Sequence, residues 1–370
     1  MTRPQPRRAY RKARGSDRVS VDLLHPRTAA DVADLLHDAS AAHKKVLIVG
    51  GRTHMDRGNP TYPDAELWTT QLDDLVAYEP AEMIVVVHAG MRFGQLASLL
   101  AEHGQEWPVD AAPEATVGGV IAAGVSSFRR LRVGHVRDTV LQMTIVTGDG
   151  RTVSSGARTV KNVSGFDVHR LVTGSLGTLG AIVEVALKVR PLPEARAVFR
   201  TSTATPFEEA ARVVTAARGA AAVVMSPESV VVHLEGWAAE VEDLRSALRA
   251  TATQAEEVAE RDVDRVPALD ADAVVAEVAV APSRLREVVE RHDRWQALAG
   301  VGIGWVSVHT PQELSALRER VAEAGGIAPV VRGEGGLGET AVPALEVHRR
   351  LKAAFDPRGI LAPGRFWDGL

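Results

Sequence analysis

The chain has 370 residues, 45% hydrophobic and 24% charged, which leaves room for two or three domains and a sizeable core. Its formal net charge of -4 gives no electrostatic footprint for nucleic acid, and no run approaches the roughly 18 apolar residues of a membrane span. The absence of cysteine excludes disulfides, thiolate metal sites, iron–sulfur ligation and a cysteinyl cofactor link by this chain.

Residues 1–19 set seven basic side chains, Arg3 to Arg18, against the single acid Asp17, with no apolar stretch behind them. They read as a disordered basic arm rather than a Sec or twin-arginine signal, with docking on an acidic partner or membrane surface as the alternative. From Thr28 the pattern predicts a capped helix with Val32, Leu35, Leu36 and Ala39 on one face. A buried strand at Val46 to Val49 follows, running straight into Gly50 and Gly51 and a donor-rich turn, Arg52 to Met55. Met83 to Gly90 reads as a strand, and Phe93 to Gly104 as a helix ended by a glycine. Ala115 to Gly124 is a helix whose small residues Gly118, Gly119, Ala122 and Ala123 permit close approach of a cofactor or of another backbone. Thr139 to Val153 reads as a hairpin turning at Asp149 and Gly150.

The glycine loop Gly174 to Gly180 opens into a β-branched run, Ala181 to Val189, and not into a helix. A Rossmann or P-loop phosphate site needs strand, turn and then helix, so this loop is neither. Its residues leave open a ligand cradle or a plain long turn. After Pro191 to Pro193 the composition shifts to alanine-rich helices near 206–217, 238–252, 282–299 and 311–324, with strands at Val230 to Gly236, Ala273 to Val280 and Val301 to Val308. A last helix over Val342 to Phe355 leads into a tail, Asp356 to Arg365, stiffened by two prolines and two glycines.

The strand–GG turn at 46–54, TVGG at 116–119, GHVRD at 134–138, GSLGTLG at 174–180 and the DPRGILAPGR tail together resemble the FAD-binding domain of the PCMH-type, or vanillyl-alcohol oxidase, flavoproteins. The resemblance covers residues 20–190 and 342–366, and within the family Val160 to Gly180 is most similar to the FAD-binding subunits of bacterial glycolate oxidases. It implies an α+β chain: a PCMH-type domain at 20–190 made of two α/β subdomains, a smaller α+β cap at 194–340 of the FAD-linked oxidase type, and residues 342–370 returning to the FAD domain. Gly50, Gly51, Arg52, Thr53, His54 and Met55 would then form the pyrophosphate loop, where backbone N–H groups, a guanidinium and a hydroxyl suit anionic oxygens. Thr116, Gly118 and Gly119 would present a helix N-terminus to the same group. Gly124, Ser126 and Gly134 would line the ribityl chain and ring; Gly177, Gly180 and Ile182 would meet the adenosine half or the flavin edge; Arg365 would approach the pyrimidine end.

Departures from the family pattern carry as much meaning. Arg52 stands in place of a third glycine, so the turn is expected to avoid a left-handed conformation there or to be shaped differently. Thr53 occupies the position of the histidyl-flavin link, with His54 one place off, which implies non-covalent FAD. Ala362 stands where many relatives have Asn, and Leu176 where the catalytic sister subunit carries an acid. The HxGDGNxH motif that gives hydroxy-acid dehydrogenating relatives their metal and substrate site is missing, and the 12 histidines show no metal-ligand spacing, so no metal is expected. The weak catalytic candidates are His233 and His309 as bases, and Arg332, beside Glu334, as a carboxylate partner.

These features imply a cytoplasmic FAD-dependent oxidoreductase acting on CH–OH groups. Its expected role is the flavin subunit of a glycolate-oxidase-like 2-hydroxy-acid oxidising complex, with catalytic flavoprotein and iron–sulfur sister subunits and membrane contact only through them. The alternatives are a free-standing FAD enzyme for an alcohol, sugar or hydroxy acid, and a structural subunit without flavin.

Overall fold

A computed structural model describes residues 21–158, 166–252, 254–260, 269, 273–338 and 344–370. The expected basic arm at 1–19, residues 159–165 and the first two residues of the helix expected from Val342 lie outside them.

In chain order the first half comprises β1 (Asp22–Leu24), α1 (Ala29–Ala41), β2 (Val46–Val49), β3 (Ala65–Trp68), β4 (Leu75–Glu79), β5 (Ile84–His88), α2 (Phe93–Ala101), β6 (Gln105–Glu106), α3 (Val117–Ala123), α4 (Arg130–Val133), β7 (Val140–Val146), β8 (Thr152–Gly156), α5 (Val168–Val172), β9 (Ala181–Lys188) and β10 (Arg190–Pro191). A parallel sheet in the order β1-β3-β2 lies beside an antiparallel sheet in the order β4-β5-β9-β7-β8. Thr28 caps α1 through a reciprocal box: its hydroxyl accepts from the Asp31 N–H at 3.1 Å, and the Asp31 carboxylate accepts from the Thr28 N–H at 3.0 Å. The helix buries Val32, Leu36 and Ala39 against Val46, Leu67 and Val146. Strand β9 is covered on both faces, with Ala181 and Val183 in that cluster and Val185 and Leu187 in a second core behind α2 and α3. Double coverage explains why its sequence is nearly continuously apolar.

The second half comprises β11 (Ala195–Ser202), α6 (Pro206–Ala216), β12 (Ala222–Met225), β13 (Ser229–Gly236), α7 (Ala238–Thr251), β14 (Glu256–Val258), β15 (Val274–Ala279), α8 (Leu285–Val289), β16 (Trp295–Leu298), β17 (Ile303–Val308), α9 (Pro311–Glu323) and β18 (Val330–Arg332). Eight antiparallel strands run in the order β14-β11-β13-β12-β16-β17-β15-β18, with α6 to α9 over the face that buries Phe199, Val232 and Val306. Full burial of each such side chain contributes about 1.5–3 kcal/mol. The helix expected over 282–299 does not form as one element. It breaks after Val289, and Trp295–Leu298, all four residues buried, become the strand between β12 and β17. A four-residue stretch, WQAL, is too short to be assigned by periodicity, and sheet pairing decided it.

Helix α10 (Leu345–Phe355) returns to the first half. Leu361 bridges Val46 in parallel, so the tail extends the small sheet. Buried Lys352 donates to the carbonyls of Thr178 (2.8 Å) and Leu361 (2.7 Å) and pairs with fully buried Asp356 at 2.8 Å. The two halves meet at a second buried ion cluster, in which Arg129 bonds Glu106 at 3.1 Å and Glu235 at 2.9 Å while Arg190 pairs with both acids. Burial opposes the charge on Arg129, yet Glu106, Glu235 and Asp110 together raise its pKa.

Candidate functional site

The turn after β2, the small-residue face of α3, the glycine loop before β9 and the C-terminal tail converge on one groove of about 650 Å³, part of it open to solvent. It is lined by Gly50 to Met55, by Gly118, Gly119, Ala122 and Ala123, by Leu176, Gly177, Gly180 and Ile182, and by Arg365. Among the described residues no protein acceptor takes the backbone N–H of Gly51, Thr53, His54 or Met55. Successive open amides facing the small residues Gly118, Gly119, Ala122 and Ala123 fit the phosphates and flat rings of a dinucleotide. The groove fits FAD.

Several glycines serve the fold before the ligand. A Cβ on Gly50 would overlap the Thr116 hydroxyl, one on Gly51 the Glu114 carbonyl oxygen, and one on Gly118 the Ala89 side chain. They let the turn, the segment before α3 and β5 come together. The start of α3 is not an open anion site. Its N–H groups at Val117, Gly118 and Gly119 already bond Met91 O (2.9 Å), Ala89 O (2.7 Å) and Thr116 Oγ1 (3.2 Å). Thr116, buried and capping α3, supports the Gly50 turn and does not line the groove.

Contrary to the sequence expectation, Arg52 adopts the left-handed conformation, with φ +59°. Its guanidinium pairs with buried Glu66 and lies 5.0 Å from the Trp68 ring centroid, and these contacts hold a backbone that costs roughly 1 kcal/mol or more for a non-glycine residue. Leu176, φ +56°, is likewise left-handed and anchors the glycine loop by donating its N–H to Ala122 O at 2.8 Å. Arg365 is buried and donates to the carbonyls of Met55 (3.3 Å) and Arg57 (2.7 Å), stapling the turn to the tail.

A second cavity, about 1160 Å³ and also partly open, adjoins the groove through Thr53 and His54, which line both. It runs between Gly124 to Ser127 and strands β17, β15 and β18 at one end of the large sheet, taking in Arg57, Arg130, Glu277, Trp305 and Arg332. Glu277 accepts from Arg57 (3.2 Å) and from the Trp305 indole (3.1 Å). Burial, then the nearby Arg57 charge, lowers the His54 pKa to about 4, so its imidazole is neutral near pH 7, with Nδ1 2.9 Å from the Thr53 hydroxyl.

The predicted site residues therefore divide. Gly124 and Ser126 face the second cavity, as does Arg332, while Gly134 ends α4 and lines neither space. His233 lies against the Phe128 ring, away from both, with burial lowering its pKa to about 4. His309 sits on the exposed approach to α9, its N–H bonded to Glu313. Neither histidine is placed to act as a base at the groove, because β13 turns His233 to another surface and His309 follows the end of β17 on the exposed side. Arg57, Arg130, Glu277 and Trp305 carry no local pattern in the sequence, and only the fold brings them together. Among the described residues no cluster of three His, Asp or Glu could hold a metal ion, and no helix is long and apolar enough to cross a membrane.

A family model described as "FAD binding domain" matches residues 23–156. The chain is 27% identical to glycolate oxidase subunit GlcE of Escherichia coli K12, over 80% of this chain and 85% of that protein. It is 31% identical to a mitochondrial D-2-hydroxyglutarate dehydrogenase of Bos taurus over 50% of this chain, and 29% identical to a mitochondrial D-lactate dehydrogenase of Arabidopsis thaliana over 46%. It spans only 34% and 30% of those two dehydrogenases. Among solved structures an alkyldihydroxyacetonephosphate synthase matches 92% of this chain and 76% of its own, with a TM-score of 0.71 at 15% identity, a likeness of fold.

Proposed function

We propose, for a chain that carries an FAD-binding domain of the PCMH type and is an FAD-dependent oxidoreductase, that it is the flavin subunit of a 2-hydroxy-acid oxidising complex of the glycolate oxidase kind. What carries this reading is the likeness to glycolate oxidase subunit GlcE over 80% of this chain and 85% of that protein, in a chain whose groove is rimmed by open amides. Gly50 to Met55 hold the pyrophosphate, Gly177, Gly180 and Ile182 lie along the rest of the cofactor, and Arg365 fixes the turn while keeping a cation at the groove. When bound, FAD supplies a two-electron acceptor for a CH–OH donor. It is held non-covalently, with the His54 ring next to the Thr53 hydroxyl.

Sister subunits, a metal-site flavoprotein and an iron–sulfur protein, complete the complex, which is cytoplasmic and meets membrane only through them. One observation favours a second reading, a free-standing enzyme: the arginine-lined cavity gives this chain a place for its own organic acid.

The purified protein should show flavin bands near about 370 and 450 nm, and acid precipitation should release all of the flavin into the supernatant. No bands, and none after adding FAD, would overturn the reading; flavin retained in the pellet would overturn non-covalent attachment. Co-purification with two further subunits supports the complex, whereas dye reduction by an isolated monomer supports the free-standing enzyme.

A further inference from the structure

Three guanidinium groups line the cavity beside the groove, and two of them are engaged. Arg57 pairs with Glu277 at 3.2 Å, and Arg332 donates to Leu269 O at 3.1 Å. Arg130, the first residue of α4, is half-buried and makes neither a hydrogen bond nor an ion pair among the described residues. Burial, foremost, lowers its pKa, and the Arg137 charge adds to that, while the charges of Glu277 and Asp138 oppose it without outweighing burial. A guanidinium kept partly out of water without a partner is costly unless an anion arrives to meet it.

The carboxylates around the cavity are already committed. Glu277 holds Arg57 and Trp305, Asp56 accepts from the Gly333 N–H at 3.0 Å, and Asp110 accepts from the Phe128 N–H at 2.8 Å. One stretch of the wall is apolar, formed by Val125, Val275, Ile303, Trp305 and Val331, while Thr53, His54, Ser126 and Ser127 line the side towards the groove.

We propose that Arg130 receives the carboxylate of the substrate and the apolar wall its side chain, so that the cavity selects 2-hydroxy monocarboxylates with an apolar side chain over glycolate-sized acids and over dicarboxylates. This rests on the hydroxy-acid reading above. A second carboxylate carried along the apolar stretch would meet valines or the fixed acids Asp56, Asp110 and Glu277, and the hydroxyls of Thr53, Ser126 and Ser127, already engaged with His54, Val136 and Arg129, offer it no charge.

The test uses three acids without a hydroxyl, so that no turnover occurs: acetate, 4-methylpentanoate and glutarate. Each is titrated calorimetrically into the purified full chain, with flavin content read separately from the visible spectrum. 4-Methylpentanoate should bind at least about tenfold tighter than acetate, because each buried methylene favours binding, and also tighter than glutarate. Arg130→Met should weaken it about tenfold or more, the loss of a charge-assisted pair. Arg130→Lys, which keeps the charge without the fork, should fall between. Both variants should keep wild-type flavin content.

Equal affinity in wild type and Arg130→Met, acetate or glutarate binding as tightly as 4-methylpentanoate, or no acid binding to flavin-loaded protein would each overturn the proposal. If Arg130→Met does not fold, Arg130→Lys and Arg130→Gln decide in its place. Missing flavin with carboxylate binding intact would count against the cofactor reading and leave this one standing.

Discussion

At the scale of single residues, Arg52 shows how a side chain can license a backbone that its own chemistry disfavours. The ion pair with Glu66 and the stacking on Trp68 offset the left-handed strain. Arg52→Ala keeps the strain and removes both contacts, so it should destabilise the protein by about 1–3 kcal/mol, read by urea unfolding, and lower flavin retention. Unchanged stability would mean that the contacts do not hold the turn. The sequence showed that a glycine was missing here; it could not show that Glu66 and Trp68, two residues apart on β3, would supply the compensation.

Histidines set the acid limit. Burial, in each case the leading cause, lowers the pKa of His54, His135 and His233 from 6.5 to about 4. Below 6.5 the unfolded chain takes up protons that the folded chain refuses. Stability therefore rises with pH between about 4 and 6.5, and is lost progressively as pH falls through that window. Melting temperatures recorded from pH 7 down to pH 4 should decline accordingly. A flat profile would show that these rings are hydrated in solution.

At the scale of elements, the glycine stations were legible because the fold spaces them in fixed order, but their purpose was only half legible. Gly51 permits contact with the Glu114 backbone as much as with a cofactor. Gly51→Val should thus cost stability, about 1–3 kcal/mol or more from overpacking, together with flavin retention. Loss of flavin at wild-type stability would show that the turn can move away from Glu114. Capped helix α1, strand β2 and the exit of the glycine loop into β9 all follow from patterns within a dozen residues. Strands β11, β12 and β16 did not, since alanine-rich apolar runs lack a period and their pairing is set by distant strands.

At the scale of the whole molecule, the cavity exists only where the two halves meet, and the cluster of Arg129, Arg190, Glu106 and Glu235 fixes that meeting. Arg129→Met leaves two buried acids sharing Arg190 and should cost about 3–5 kcal/mol, typical of a broken buried pair. Differential scanning calorimetry should then resolve two transitions, one for each half. A single transition at the wild-type temperature would place the coupling elsewhere. Nothing local in the sequence announces this cluster, because its members come from β6, the loop after α3, β10 and β13.

The tail tether has a consequence in time. Leu361 pairs beside Val46 at the edge of the small sheet, and Lys352 reaches back to Thr178 in the glycine loop, so two walls of the groove are joined by residues made only after the whole cap. During synthesis the ribosome must finish the intervening cap before the first half can close. Nascent chains arrested before Lys352 should therefore carry no flavin, and cofactor loading becomes a step that follows translation.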